Sequence, residues 1–321
     1  MQGFHGTTAT VLFVTESDSS IDSMNPRQDA GTLVLAAVRS SMLAAETALA
    51  SNSQLASNRR ESVRTARREL KSVRALAPLC RAPQHGAFVD GVLEFSAKAN
   101  QLLGPLRDRD ALIRSITRIS DRFVDGEPRR VVRTVLLATL VFAETDRRDD
   151  SQFADSAIAR ARRAMRAAME SVTRLDAEAP IDRRAVESMM RRTFESCRVE
   201  LREALEVSDL ARLHECRKKA SFLALTLRPF ESGLSPSLRR VRNRAKRLAT
   251  TLGEDRDLAL LDVELNRARA QLAGSPLVES IDAALRLARL EASVRMEDSA
   301  RAFLRLGRRG VFHGLAELFD S

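Results

Sequence analysis

Among 321 residues there are four histidines, and His214 stands in the most densely cationic setting of the four. The stretch LHECRKKASFLALTLRPF, residues 213–230, places Arg217, Lys218 and Lys219 directly after it. Such a histidine can ligate a metal, act as a general base, fill a core position or donate to an anion. Zinc needs three or four suitably spaced ligands. Cys216, two residues on, points about 200° away on a helix, while Arg217 and Lys218 would repel a cation. His5, His85 and His313 have no paired ligand in sequence. The chain thus calls for no metal and no other cofactor. Catalysis finds as little support, because there is no serine elbow, P-loop, glycine-rich fingerprint or acidic cluster for Mg²⁺. The expectation is a protein that is not an enzyme.

The anion reading agrees with the bulk charge. Lys plus Arg outnumber Asp plus Glu by 53 to 43, giving a net charge of +10. Such a balance favours polyanionic partners without specifying one. There is no Trp or Tyr, so the chain is poorly equipped to stack unpaired bases. A polyanion read through phosphate alone fits better, and nucleic acid is the weaker alternative. Cys80, Cys197 and Cys216 lie far apart and read as buried thiols in a reducing cytoplasm. No uninterrupted apolar stretch approaches the roughly 18–20 residues of a membrane span. Residues 1–29 read as a disordered N-terminal segment, and Met24 as an alternative start. Nothing points to a particular oligomeric state.

The elements that must carry these residues are helical throughout. Ala, Leu, Arg and Glu recur at helical spacing, with Gly and Pro mostly between periodic segments. The pattern predicts helices near 31–55, 57–80, 86–103, 107–122, 128–145, 152–175, 183–205, 209–230, 237–252, 255–273 and 277–306. The class is all-α, with antiparallel helices and short connections.

The chain also repeats itself. Leu213, Cys216, Ala220, Leu223 and Leu227 form one apolar stripe, and Val63, Ala66, Leu70, Val73 and Ala77 form another, each 150 positions earlier. A polar series accompanies each stripe at the same displacement. It reads Arg64, Arg67, Arg68, Lys71 in the first half and His214, Arg217, Lys218, Ser221 in the second. On a helix each series lies about 120–140° from its stripe. LLGPLRDRDALI (102–113) matches TLGEDRDLALL (251–261), aligning Gly104 with Gly253 and Asp108 with Asp257. Each glycine is expected to end one helix and each aspartate to occupy the first turn of the next, or else to pair with an arginine. The break between halves falls near 174–184, giving half one at about 30–175 and half two at about 182–321 within a single domain. Two bundles facing each other across a pseudo-twofold would let the basic series line the space between them.

These residues resemble a known family. VRTARRELKSVRALAPL (63–79) and LHECRKKASFLALTLRPF are similar to the signature helices of CHAD, the conserved-histidine α-helical domain. LGPLRDRDAL and LGEDRDLALL resemble the junction that follows in each half. The resemblance spans about residues 30 to 310. It implies two four-helix-like halves around a basic central cavity, and non-catalytic binding of inorganic polyphosphate in the cytoplasm or on polyphosphate granules. The binding residues it suggests are Arg64, Arg67, Arg68, Lys71 and Arg74, with His214, Arg217, Lys218 and Lys219 opposite. Lys98, Arg107, Arg247 and Arg256 join them as junction or later-cluster cations. The chain departs from the family pattern at Arg64, where the first-half histidine belongs, and at Ser221 and Ala224, where cations are expected. The other readings are a general binder of nucleic acid or phosphate anions and a helical protein scaffold with solvated charges.

Overall fold

Both stripes are buried. Val63, Ala66, Leu70, Val73 and Ala77 are at most 4% exposed, and Leu213, Cys216, Ala220, Leu223 and Leu227 at most 9%. They lie on α2 (Ala56–Leu76, extended by a 3₁₀ turn to Cys80) and on α8 (Leu210–Thr226). The computed structural model describes residues 30–50, 56–81, 85–124, 128–138, 147–174, 182–207, 209–272 and 277–320. The expectation for residues 1–29 lies outside these, as does most of the break near 174–184.

Around α2 stand α1 (Ala30–Ala50), α3 (Gly86–Leu102) and, packed on α1 and α3, α6 (Arg147–Thr173). In the second half α7 (Arg183–Val207) packs on α8, and α8 on α9 (Pro236–Leu272). The chain then runs into α10 (Leu277–Leu304) and α11 (Arg308–Asp320). Buried side chains from both halves form one continuous apolar cluster, with α2 against α8 at their junction. A second cluster joins α4 (Gly104–Phe123) and α5 (Pro128–Leu137) to the later part of α9 and to α10, through Ile116, Ile119, Leu258 and Leu261. Among the described residues there is no strand. The all-α reading therefore holds.

Two element boundaries differ from expectation. The segments near 237–252 and 255–273 are one helix, and Gly253 lies buried inside it. Its counterpart Gly104 does start a new helix. The residue that follows accounts for the difference. Pro105 lacks the N–H that a continuing helix would need, whereas Glu254 at the matching position keeps it. The second difference is α11, which the periodicity did not mark.

Among the described residues one helix, α1, is long and apolar enough by length and composition to cross a membrane, with 21 residues and a best-window mean hydropathy of 1.4. Its apolar residues Val34, Val38, Met42 and Ala45 are fully buried, and the helix packs against α2 and α6. Core packing accounts for that apolarity.

Part of the arginine excess has a structural use. Arg198 donates from one guanidinium nitrogen to the carbonyls of Leu304 and Leu306, at 2.8 Å each, and lies 5.4 Å from the Phe194 ring. It satisfies carbonyls where α10 ends, which have no partner within the helix. Arg191 and Arg183 reach the Phe312 and Phe319 carbonyls at 3.2 and 3.1 Å. Arg244 reaches that of Ala302 at 2.7 Å. Phe194, fully buried, anchors this region against Phe303 and Phe312, with ring centroids 5.6 and 6.4 Å away. Phe194→Ala is expected to destabilise the protein by about 3–5 kcal/mol, measured as a lower denaturant midpoint with helical content retained below the transition.

Candidate functional site: a cluster of cations shared by two halves

The polar series of α2 and α8 divide into two groups. On α2, Arg67 and Lys71 are one turn apart and share a face. Arg67 donates to the backbone carbonyl of Asn100 near the end of α3, and its guanidinium stands beside Gly104, 3.9 Å from where a Cβ would lie. The second half repeats the arrangement more tightly. Arg217 of α8 lies over Gly253, whose missing Cβ would come within 3.1–3.3 Å of three guanidinium atoms. The two glycines thus make room for two equivalent arginines, and for Gly253 this replaces the expected role of helix stop.

The aspartates take the second of the two roles expected of them, pairing with an arginine, and not the first. Asp257 is in the middle of α9, and Asp108 falls just after the first turn of α4. Neither is placed to complement a helix dipole. Both pair with Arg107, which donates to Asp108 at 2.6 Å and to Asp257, in the other half, at 2.8 Å. Arg107 is ion-paired on both sides, and these pairs hold its pKa up despite its burial.

The remaining cations in this group have no such partner. Among the described residues, no carboxylate lies within ion-pair distance of Arg67, Lys71, Arg217 or Arg256. Lys71 is solvent-exposed at its tip. Burial lowers its pKa to about 8, with further lowering from Arg217, Arg67, Arg107 and Arg256 in that order. Arg67 falls to about 10, from burial first and then from Arg107 and Arg256, with Asp108 opposing them. Arg217 is lowered by burial and by Arg107 and Arg256, against the pull of Asp257. These effects require that cations from α2, α4, α8 and α9 lie within each other's field.

His214, half-buried, belongs to the edge of this group. Its pKa lies below the usual imidazole value, first through burial and then through Lys218, Arg256 and Arg217. Burial outweighs the neighbouring cations. Arg64, its counterpart, is exposed and pairs with Glu61 at 2.8 Å.

Other candidates lie elsewhere. Arg68 points to Glu69 at 3.0 Å, and this buried carboxylate also accepts from Arg228 of the second half at 3.3 Å. Lys218 pairs with Glu215 at 2.7 Å. Lys219 turns toward α7, where it donates to Glu200 and, at 2.5 Å, to Ser196. Arg74 continues the face of α2 that carries Arg67 and Lys71, and like Lys98 and Arg247 it is exposed. Helical geometry sets Arg247 about 120° around α9 from Gly253 and puts Lys246 within about 20° of it. In RRVRNRAK, Arg242 is bidentate on Glu231 at 2.5 and 2.9 Å and Arg239 donates to the Leu234 carbonyl at 3.4 Å, so much of that run is structural.

Arg114 was not anticipated from the sequence. It pairs with Asp110, and its pKa is lowered by burial and by Arg64 and Arg107, while Asp257 raises it. The signal was present in the spacing of 107, 110 and 114, which puts Arg107, Asp110 and Arg114 on one face of α4. Among the described residues no three His, Cys, Asp or Glu side chains gather as a metal site. A depression of about 290 Å³ between α1 and α6, lined by Met42, Met165 and Met169, is remote from these cations.

Comparison with known proteins places this architecture. No curated protein matches the sequence. The crystal structure of the CHAD domain from the plant Ricinus communis aligns with a TM-score of 0.53 at 16% identity, covering 91% of this chain and 93% of that one. The likeness is one of fold. The family model for the CHAD domain matches residues 34–266, the span that carries α2, α8 and both glycine junctions, and the chain belongs to the CHAD family.

Proposed function

We propose that the protein binds inorganic polyphosphate without transforming it, holding the chain in a basic cleft between the two halves. One observation carries this reading. Arg67, Lys71, Arg217 and Arg256 come from three helices in both halves; burial and then neighbouring cations, Arg107 and Arg256 among them, depress the proton affinity of Arg67, Lys71 and Arg217, and the nearby Asp108 and Asp257 are both engaged by Arg107. A solvated face does not gather cations in this way, because exposed charges separate or pair. A dense polyanion relieves the repulsion. Guanidinium groups grip phosphate oxygens through paired N–H donors, while Lys71 acts as a point charge. Polyphosphate has no bases, so a chain without Trp or Tyr loses nothing in binding it. The family's association with polyphosphate agrees with this reading.

The residues assigned to binding are Arg67, Lys71, Arg107, Arg217 and Arg256, with His214 and Arg114 at the margin. Charge reversal separates them from the rest. Arg67→Glu and Arg217→Glu should each weaken polyphosphate binding by about 10- to 100-fold and flatten its salt dependence by roughly one contact. Arg247→Glu should leave binding within about twofold of wild type. Titration with a fluorescent polyphosphate at several salt concentrations measures all three. Equal displacement by single-stranded DNA of the same charge would identify a general anion binder instead.

The low pKa of Lys71 supplies a second test. A bound anion raises that pKa, so the contribution of Lys71 is present below its free value of about 8 and is lost as pH rises through the value in the complex. Binding near pH 8 should therefore take up a fraction of a proton, seen by calorimetry in buffers of different ionisation enthalpy. Lys71→Arg should keep the affinity and abolish the uptake.

A further inference from the structure

Cys197 of α7 and Cys216 of α8 are both fully buried, and the two helices bring them face to face. The Cys197 thiol lies 3.7 Å from the Cys216 carbonyl oxygen, and the Cys216 thiol 3.9 Å from that of Cys197. Such reciprocal contact sets the two residues opposite each other across the helix pair. A charged pair accompanies them. Glu200, one turn after Cys197, accepts from Lys219, which is one turn after Cys216. The other oxygen of Glu200, Oε2, is buried with no partner. Buried acceptors are rarely left unsatisfied, and this one is within the field of both thiols.

We propose that Cys197 and Cys216 form a dithiol that hydrogen peroxide oxidises to a disulfide, fastening α7 to α8. Cys216 is the attacking sulfur. The hydrogen bond from Cys197 lowers its pKa against the opposing effect of burial, while the Cys197 pKa is raised. The Cys216 thiol gives up its proton, and the thiolate attacks one peroxide oxygen. The O–O bond breaks to leave a sulfenic acid and hydroxide, which recovers the proton as water. The Cys197 sulfur then displaces the hydroxyl group from Cys216, and its own proton leaves with that group as a second water. Two thiols lose two protons and two electrons, and peroxide is reduced to two waters. The bond fixes α8 next to Arg217, but its formation does not depend on what the cations bind.

The test is peptide mapping of the full chain after peroxide treatment, with free thiols counted in denaturant. Oxidation should remove two of the three thiols and leave Cys80 reduced. A peptide pair joining Cys197 to Cys216 should appear and vanish on treatment with dithiothreitol. Cys197→Ser should leave a sulfenic acid at Cys216 that dimedone traps, and Cys80→Ser should leave the cross-link unchanged. The proposal is overturned if both thiols persist at doses that oxidise Cys80, or if Cys216 passes to sulfinic acid in the wild-type chain without cross-linking. The wild-type map decides the matter even if a variant fails to fold.

Discussion

Like charges held together must be forced together, and the apolar stripes of α2 and α8 supply the force. Two cations about 6 Å apart repel by roughly 2–3 kcal/mol at an effective dielectric near 20. A fully buried Val or Leu contributes about 1.5–3 kcal/mol. Five stripe residues per helix, nearly all apolar and all buried, comfortably outweigh several such repulsions. The geometry of a helix does the rest. With one side of α2 committed to the core, Arg67 and Lys71 cannot turn away to separate solvent-facing positions, and Arg217 on α8 is constrained in the same manner. The electrostatic strain is thus anchored in packing, where an anion can release it without any rearrangement of the core.

Arg107 keeps this arrangement from being purely repulsive. By bridging Asp108 and Asp257 it ties the start of α4 to the middle of α9, joining the two halves where the cations converge. The pair of carboxylates holds Arg107 in place, while Arg107 still acts on Arg67, Lys71 and Arg217. Glu69 plays a comparable part on another face, where a buried carboxylate takes Arg68 from one half and Arg228 from the other. Each carboxylate placed between the halves therefore removes particular arginines from the unpaired group. Which cations remain is decided by where the few acids stand, and only weakly by how many arginines the chain has.

That distinction explains what could be read in the sequence and what could not. The apolar stripes and their repeat were legible because burial follows a periodicity that one strand of text displays. The helical class and the basic series followed from it. The junction at Gly253 was misread because a glycine looks the same whether it ends a helix or admits an arginine. The informative residue was its neighbour, proline in one half and glutamate in the other. Arg68, Lys218 and Lys219 carried the right charge at the right spacing, but their partners Glu69, Glu215 and Glu200 decide their direction. Glu200 comes from a different helix, and no periodicity along α8 reveals it. Arg183, Arg191, Arg198 and Arg244 likewise read as surplus charge until the carbonyls they satisfy are seen.

The uneven halves acquire a physical sense from the same cluster. Ser221 and Ala224 occupy positions that hold Lys71 and Arg74 in the first half, which suggests a second half with a small share in the cation cluster. Yet the largest charge effect on Lys71 comes from Arg217, and Arg256 acts on Arg67, Lys71 and Arg217 alike. The second half contributes fewer cations and places them where they matter most, against the most strongly perturbed cations of the first. His214 fits this economy. At the position where Arg64 is exposed and paired, an imidazole below its usual pKa adds little charge to an already crowded group. Under the proposed function it would accept a proton when an anion binds. A permanent cation there would add repulsion at all times, whereas histidine would add its charge only when there is an anion to meet it.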